Sequence, residues 1–520
     1  MTAKAAPFTI LAAYAVLLGA TAALAPPLAS VALMLPACAI LLWLMPEREL
    51  VSPRLLAAAF TVMTAAQICI PAYYTAQVPG LPWISLRRIA LLALIALALL
   101  RLATAARARR QLLSTLAAAP LLLALSLGFD LMAALSILAS PDPVVSAQQF
   151  ADLAFAWRLP FFACVLVVTD EAEAAALVRL IAALSLPVAA LGVADFLAAR
   201  NFALDIIPHG LLAAMADANP GVRVLMEFNP WRNGLFRAVS IYNTPLSFGE
   251  FAAICAPLGG FLALHGESGR DRALGLATIL AAMAALFVSG SRGGAVGFLI
   301  SMPLLALLAA IRLARARPNG LAGPIAAAGA LAVGGAALSA VFASRRLFNI
   351  VFGGDDSIGS TAARSEQMDM AWPHIFDSPV FGHGLGLGGI VVDWRPSPDA
   401  PGSIDSYLVS LLVETGFPGA GCYFGALALA ACACLTIYLR DRDPRAALAG
   451  PLGCALLAYE FYRLALSQRE NQTLVYLLMA LAFVVIAQAK RRKAREQARA
   501  LDAPRRPTVY AREMVSSPPI

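Results

Sequence analysis

Apolar runs of roughly twenty residues recur along most of this chain, and that length carries a helix across the ~30 Å hydrocarbon core of a bilayer. Predominantly apolar stretches occupy 8–25, 27–45, 54–74, 84–103, 117–139, 147–169, 172–199, 244–265, 271–289, 293–313, 321–343, 405–438, 446–465 and 472–489. Of the 520 residues, 60% are hydrophobic and only 13% charged, a balance that excludes a string of soluble domains. The expected fold class is all-α: a polytopic integral membrane protein of about 12–14 transmembrane helices, with a large outer loop carrying short helices. The 405–438 run is too long for one straight span, so part of it should be re-entrant or tilted.

Charge placement orients the spans. Basic clusters fall at Arg48 and Arg54, Arg101 to Arg110, Arg270 and Arg272, Arg312 to Arg317, Arg440 to Arg445, and Lys490 to Arg499. All lie on one side if the helices alternate, and the positive-inside rule makes that side cytoplasmic. Both termini are then cytoplasmic, and the 200–243 and 344–404 loops face outward. The first run resembles a signal peptide, with Lys4 and Ala23-Leu24-Ala25, but Pro26 disfavours cleavage, so it reads as an uncleaved first helix. The net charge of +8 belongs to cytoplasmic loops and a juxtamembrane basic tail, which argues against nucleic-acid binding. Three regions follow: scaffold helices over 1–199, a membrane domain with the chemistry over 200–490, and a basic, disordered tail over 491–520.

All eight cysteines sit inside apolar runs without metal-site spacing, which makes them small packing residues. No metal ligand set is expected. The glycines of Gly382-His383-Gly384-Leu385-Gly386 superficially suggest a nucleotide loop, but they follow a helix and a proline rather than a strand.

The polar interruptions carry the chemistry. Thr244-Pro245 reads as a helix start, threonine capping and proline at the first position. Its outward N–H groups lie beside Arg237, an arrangement suited to an anion; the alternative is an arginine snorkelling to headgroups. Glu250, two turns in, is a structural partner or a proton acceptor. Ser289-Gly290-Ser291-Arg292 joins two helices with almost no loop, and Gly293 and Gly297 form a small-residue packing face. Arg292 in the first helical turn opposes the helix dipole, which favours an anion there. In the long outer loop, Ser357 to Pro373 is expected to form an amphipathic helix with Met368 and Trp372 on one side and Arg364 nearby. His383 is one of four histidines and is either structural or catalytic. Asp405 is either the cap of the next span or a base. Glu414 lies nine residues along, on another face of the helix, ahead of the break Thr415-Gly416-Phe417-Pro418. Arg463, Arg469 and Glu470 sit at the outward ends of the last two spans, positioned to close the same cavity. The polar features gather after residue 200, without the matched halves of a transporter.

These motifs, in order, resemble the O-antigen ligase and O-antigen polymerase family of bacterial envelope proteins. The resemblance rests on Phe236-Arg237 through Glu250, the Ser291-Arg292-Gly293 joint, Arg364 upstream of Trp372, Pro379-Val380-Phe381-Gly382-His383-Gly384, and Asp405-Ser406-Tyr407-Leu408 to Glu414-Thr415-Gly416. It covers roughly 230–435. It implies a polyprenyl-diphosphate-linked glycan as donor at the periplasmic face of the bacterial inner membrane, with no metal, nucleotide or other cofactor. Arg237, Arg292 and Arg364 would hold the diphosphate, with Glu250 and Arg463 as further substrate-binding candidates. Asp405, His383 or Glu414 would serve as base. Ligases of this family carry histidine where this chain has Asp405. That departure points to a polymerase joining one lipid-linked repeat of O-antigen or exopolysaccharide to another. The alternatives are a ligase transferring the glycan to lipid A-core or another acceptor, and an anion or solute transporter. Expected partners are the lipid-linked glycan, a glycan or lipid acceptor, membrane lipids, and chain-length regulator and export proteins.

Overall fold

The computed structural model describes residues 48–75, 85–344 apart from 219, 228 and 233, residue 348, 355–395 and 402–502. The expected spans 8–25 and 27–45 lie outside the described residues. The helices are α1 (Pro53–Cys69), α2 (Leu86–Thr104), α3 (Ala106–Leu116), α4 (Pro120–Ser136), α5 (Pro143–Leu153), α6 (Leu159–Val167) and α7 (Glu171–Ala198). Three short helices follow: α8 (Phe202–Asp205), α9 (His209–Ala218) and α10 (Pro220–Glu227). A small hairpin, β1 (Trp231–Arg232) with β2 (Leu235–Phe236), leads into α11 (Pro245–His265). Then come α12 (Gly269–Ser289), α13 (Arg292–Ala316), α14 (Ala322–Ala343), α15 (Asp355–Asp377), α16 (Gly388–Val392), α17 (Tyr407–Arg440), α18 (Ala449–Ala465) and α19 (Gln472–Asp502). The protein is an all-α, multi-pass membrane protein. Among the described residues eight helices are long and apolar enough to cross a membrane, or nine if α2 and α3, bent by 104°, make one span.

Helices α11 and α19 are the central ones, each buried over 89% of its apolar window. Lipid tails are as apolar as leucine, so close backbone approach, not water exclusion, holds such helices together. Gly259 of α11 and Gly275 of α12 face each other so closely that a Cβ on either would strike the other's backbone. Gly297 faces Ala253 and Ala458, and Gly293 meets Tyr462 and Leu466, so this small-residue face seats α13 on α18.

The basic loops gather at one end. Arg312 donates to the carbonyls of Tyr438 (2.9 Å) and Asp443 (2.6 Å), and Arg492 binds Asp441 (2.8 Å) and Glu171. Arg491 reaches Ser114 at 3.1 Å, and Arg48 N donates to Thr104 O at 2.9 Å. The candidate site lies at the opposite ends of the same helices.

The structure corrects two expectations. α19 runs unbroken to Asp502, so the basic segment after 490 begins as helix. The N-terminal helices also hold a buried ion pair: Arg158 binds Asp130 at 2.6 Å and Ser126 Oγ at 2.7 Å, with its guanidinium 4.8 Å from the Tyr476 ring centre. A π-helical turn, Ala154–Arg158, turns that side chain inward. Arg87 is also buried, donating to Ile70 O. Finally, the outer-loop helix α15 is 23 residues long and continues past Pro373.

Candidate functional site

The site is assembled from helix ends. Thr244 caps α11, its hydroxyl accepting from Ser247 N at 3.2 Å with Pro245 at the first position. Ser291 likewise caps α13 through Gly294 N at 3.3 Å. Between α12 and α13 only Gly290 turns the chain, with φ 58°. Gly249 is required opposite, because a Cβ there would strike Ser291. The β1–β2 hairpin delivers Arg237 to this joint, where its Nε donates to Ser289 O at 3.0 Å. Burial lowers the Arg237 pKa to about 10, and neighbouring Arg232 adds to the fall. A desolvated cation beside a helix start is short of negative charge. Arg292 stands exposed in the first turn of α13.

The α17 helix is bent. At Gly416, φ 69° and ψ −177° leave the helical region for one that is essentially glycine-only. A straight helix would separate Tyr407 and Tyr423 by roughly 24 Å, yet their ring centres are 5.3 Å apart. The first arm therefore folds back against the second, as the length of the run required. Asp405 precedes this arm, but it is not the cap. Ser406 caps α17 through Val409 N at 3.4 Å, and its hydroxyl donates to Leu464 O at 2.7 Å. The Asp405 carboxylate instead faces Arg364 at 3.7 Å, both side chains 35–40% exposed. Gln367, buried on α15, accepts from Asp405 N at 2.9 Å. Thus α15 holds Asp405 from both its carboxylate and its backbone.

Glu414 is differently placed. Only 2% of its side chain is exposed, and it faces Arg469 Nη2 through both oxygens at 3.2 and 3.3 Å. Ser410 Oγ donates to it at 2.6 Å and Gly388 N at 3.4 Å. The glycine run that superficially suggested a nucleotide loop is packed against protein. Gly382 lies against the Glu414 backbone, Gly384 against Ser140 and Ser146, and Gly386 against Gln149. His383 N donates to Val413 O at 2.8 Å, and its Nε2 lies 2.9 Å from His374 O. His383 and Glu414 are therefore engaged in holding the loop to α17, while Asp405 stays open to solvent.

Arg463 is fully buried beneath the site, its guanidinium 3.7 Å from the centre of the Tyr407 ring. It donates to Gln468 O. Glu250, also buried, accepts from Asn471 Nδ2 at 2.7 Å. Glu470 accepts from Asn243 N at 2.9 Å, and burial pushes its carboxyl pKa up.

The end of α18 is the wall common to these groups: Tyr462 and Leu466 touch Gly293 beside Arg292, and Leu464 O ties Ser406 beside Asp405. Residues 276–424 match the family model described as O-antigen ligase. This part of the chain is similar to the O-antigen ligase family. The O-antigen ligase domain runs from α12 to the arm beyond the Gly416 bend and contains Arg292, Arg364, His383, Asp405 and Glu414; Arg237, Glu250 and Arg463 lie outside it. No curated protein matches the chain. The family and the apolar helices place the protein among multi-pass membrane enzymes of O-antigen assembly. Sequence reasoning missed Gln367, Ser410, Gln149 and Asn471, uncharged residues whose roles arise only from tertiary contacts.

Proposed function

We propose that this protein is a metal-independent glycosyltransferase that polymerises polyprenyl-diphosphate-linked oligosaccharide repeats at the periplasmic face of the bacterial inner membrane, with both termini cytoplasmic. The observation that carries the reading is Asp405: a solvent-accessible carboxylate, fixed by Arg364 and Gln367, at the same helix end as the Arg237–Arg292 joint. In the reaction the acceptor hydroxyl oxygen attacks the donor's anomeric carbon, and the bond from that carbon to the diphosphate oxygen breaks. Asp405 takes the hydroxyl proton, and the leaving group departs as polyprenyl diphosphate. Arg237 and Arg292 neutralise its developing charge; guanidinium forks suit phosphate oxygens. Arg364 orients the Asp405 carboxylate and meets the second lipid-linked substrate. Glu250 and Arg463 support the floor.

A polymerase brings together two diphosphate-bearing substrates, which suits two cationic stations. Asp405 in place of the ligase histidine supports the same choice. The family description favours the second reading, transfer of finished glycan to lipid A-core or another acceptor. Glycan analysis of a deletion strain separates them. Loss of long chains while single repeats still reach the acceptor supports polymerisation; full-length chains left on the lipid carrier support ligation.

A further inference from the structure

An exposed aromatic patch lies at the outer bend of α17, apart from the groups assigned to transfer. Trp372 and Phe376 of α15 stack with ring centres 5.5 Å apart and planes at 20°. Phe376 meets Phe417 at 6.3 Å. Val380 and Phe381 extend the patch, and every one of these side chains is exposed, Phe376 by 66%. Phe417 N donates to Pro379 O at 2.8 Å, so the patch is fixed to α17.

Helical length sets its height. From Phe417 to Arg440 the second arm of α17 has 24 residues, roughly 36 Å at 1.5 Å each. The hydrocarbon core is about 30 Å thick. With Arg440 among the basic loops at one boundary, Phe417 stands at the other. Phe417 is 44% exposed on a membrane-spanning helix, so it faces lipid. The α15 aromatics continue that lipid-facing surface without a gap. Tryptophan and its aromatic neighbours are the side chains that settle at this level.

We propose that Trp372, Phe376, Val380 and Phe381 are embedded in the outer boundary of the bilayer, covered by the acyl chains of membrane lipids. Helix α15 is then a membrane-seated element, not a free loop. Asp369 and Asp377, exposed on the same helix, stay in headgroup water. Arg364 lies eight residues before Trp372 on the same helix, about 12 Å along its axis.

The test is tryptophan fluorescence of the full chain in lipid nanodiscs. The Trp372 signal is obtained by subtracting the spectrum of Trp372→Phe, a conservative change in a chain of six tryptophans. The expected result is that brominated acyl chains remove most of this difference signal while aqueous iodide leaves it intact. In Phe376→Asp, iodide should begin to quench it. Quenching of wild-type Trp372 by iodide overturns the proposal, and so does protection from both quenchers, which would mean another protein covers the patch. The readout needs no glycan, so it is independent of the transferase reading.

Discussion

Replacing Arg469 by alanine should destabilise the protein sharply, because it strands a carboxylate that has almost no solvent. Glu414 is 2% exposed, and Arg469 is its only charged partner among the described ion pairs. Removing one member of a buried pair costs about 3–5 kcal/mol, whereas exposed pairs contribute about 0–1 kcal/mol. Arg469 is 31% exposed, so solvent screens part of the interaction, and a loss of about 3 kcal/mol is expected, at the low end of the buried range. The origin of the cost is checked by a double change. Ser410 Oγ at 2.6 Å and Gly388 N at 3.4 Å remain as donors to position 414. In Arg469→Ala, adding Glu414→Gln removes the stranded charge yet keeps an oxygen for those donors. Thermal unfolding in detergent, followed by size exclusion, should show a lowered Tm for Arg469→Ala and recovery of most of it in the double variant. A single variant as stable as wild type, or a double variant no better than the single, refutes the account.

Three further outcomes follow from the geometry. Gly416→Ala should lower Tm and deplete folded protein, since φ 69° with ψ −177° strains any side chain by about 1–3 kcal/mol and the Cβ would press on Pro379 and Val380 carbonyls; unchanged yield and Tm would contradict the bend. Burial raises the Glu470 pKa, so its stabilising share is full below its unfolded value and fades as pH rises through the folded one; Glu470→Gln should flatten that decline above about pH 4.3, and an unaltered Tm–pH slope would count against it. Arg292→Lys should impair polymer formation nearly as much as Arg292→Ala, a barrier increase of roughly 2.7–4 kcal/mol for a lost charge-assisted donor; normal polymer length at normal protein level would remove Arg292 from the diphosphate site.

Local signals were legible and long-range pairings were not. Thr244-Pro245 and Ser291 cap their helices as their residue types dictate, and Thr415-Gly416-Phe417-Pro418 announced the bend. Capping and φ preferences are properties of a few consecutive residues, so sequence carries them. Asp405 was an acceptable cap by type, but Ser406 holds that position because its hydroxyl also reaches Leu464 O across the bundle. The glycine run superficially suggested a nucleotide loop, and only the approach of α5 and α17 shows that it is packed against protein. The partners of Glu414 and Asp130 sit 55 and 28 residues away. Nothing in an apolar run marks which of its sparse charges will meet, because the pairing is set by how the helices stack.

The most direct test of the central claim is transfer by purified protein in lipid vesicles supplied with polyprenyl-diphosphate-linked oligosaccharide repeats. The account predicts a ladder of lengthening lipid-linked chains, with one polyprenyl diphosphate released per bond and no dependence on added divalent metal. It also predicts that Asp405→Asn, at normal folding and Tm, slows ladder growth by ~10²–10⁴. A ladder formed equally fast by Asp405→Asn, or transfer only to an added lipid A-core acceptor with no lengthening of the lipid-linked repeats, would contradict it.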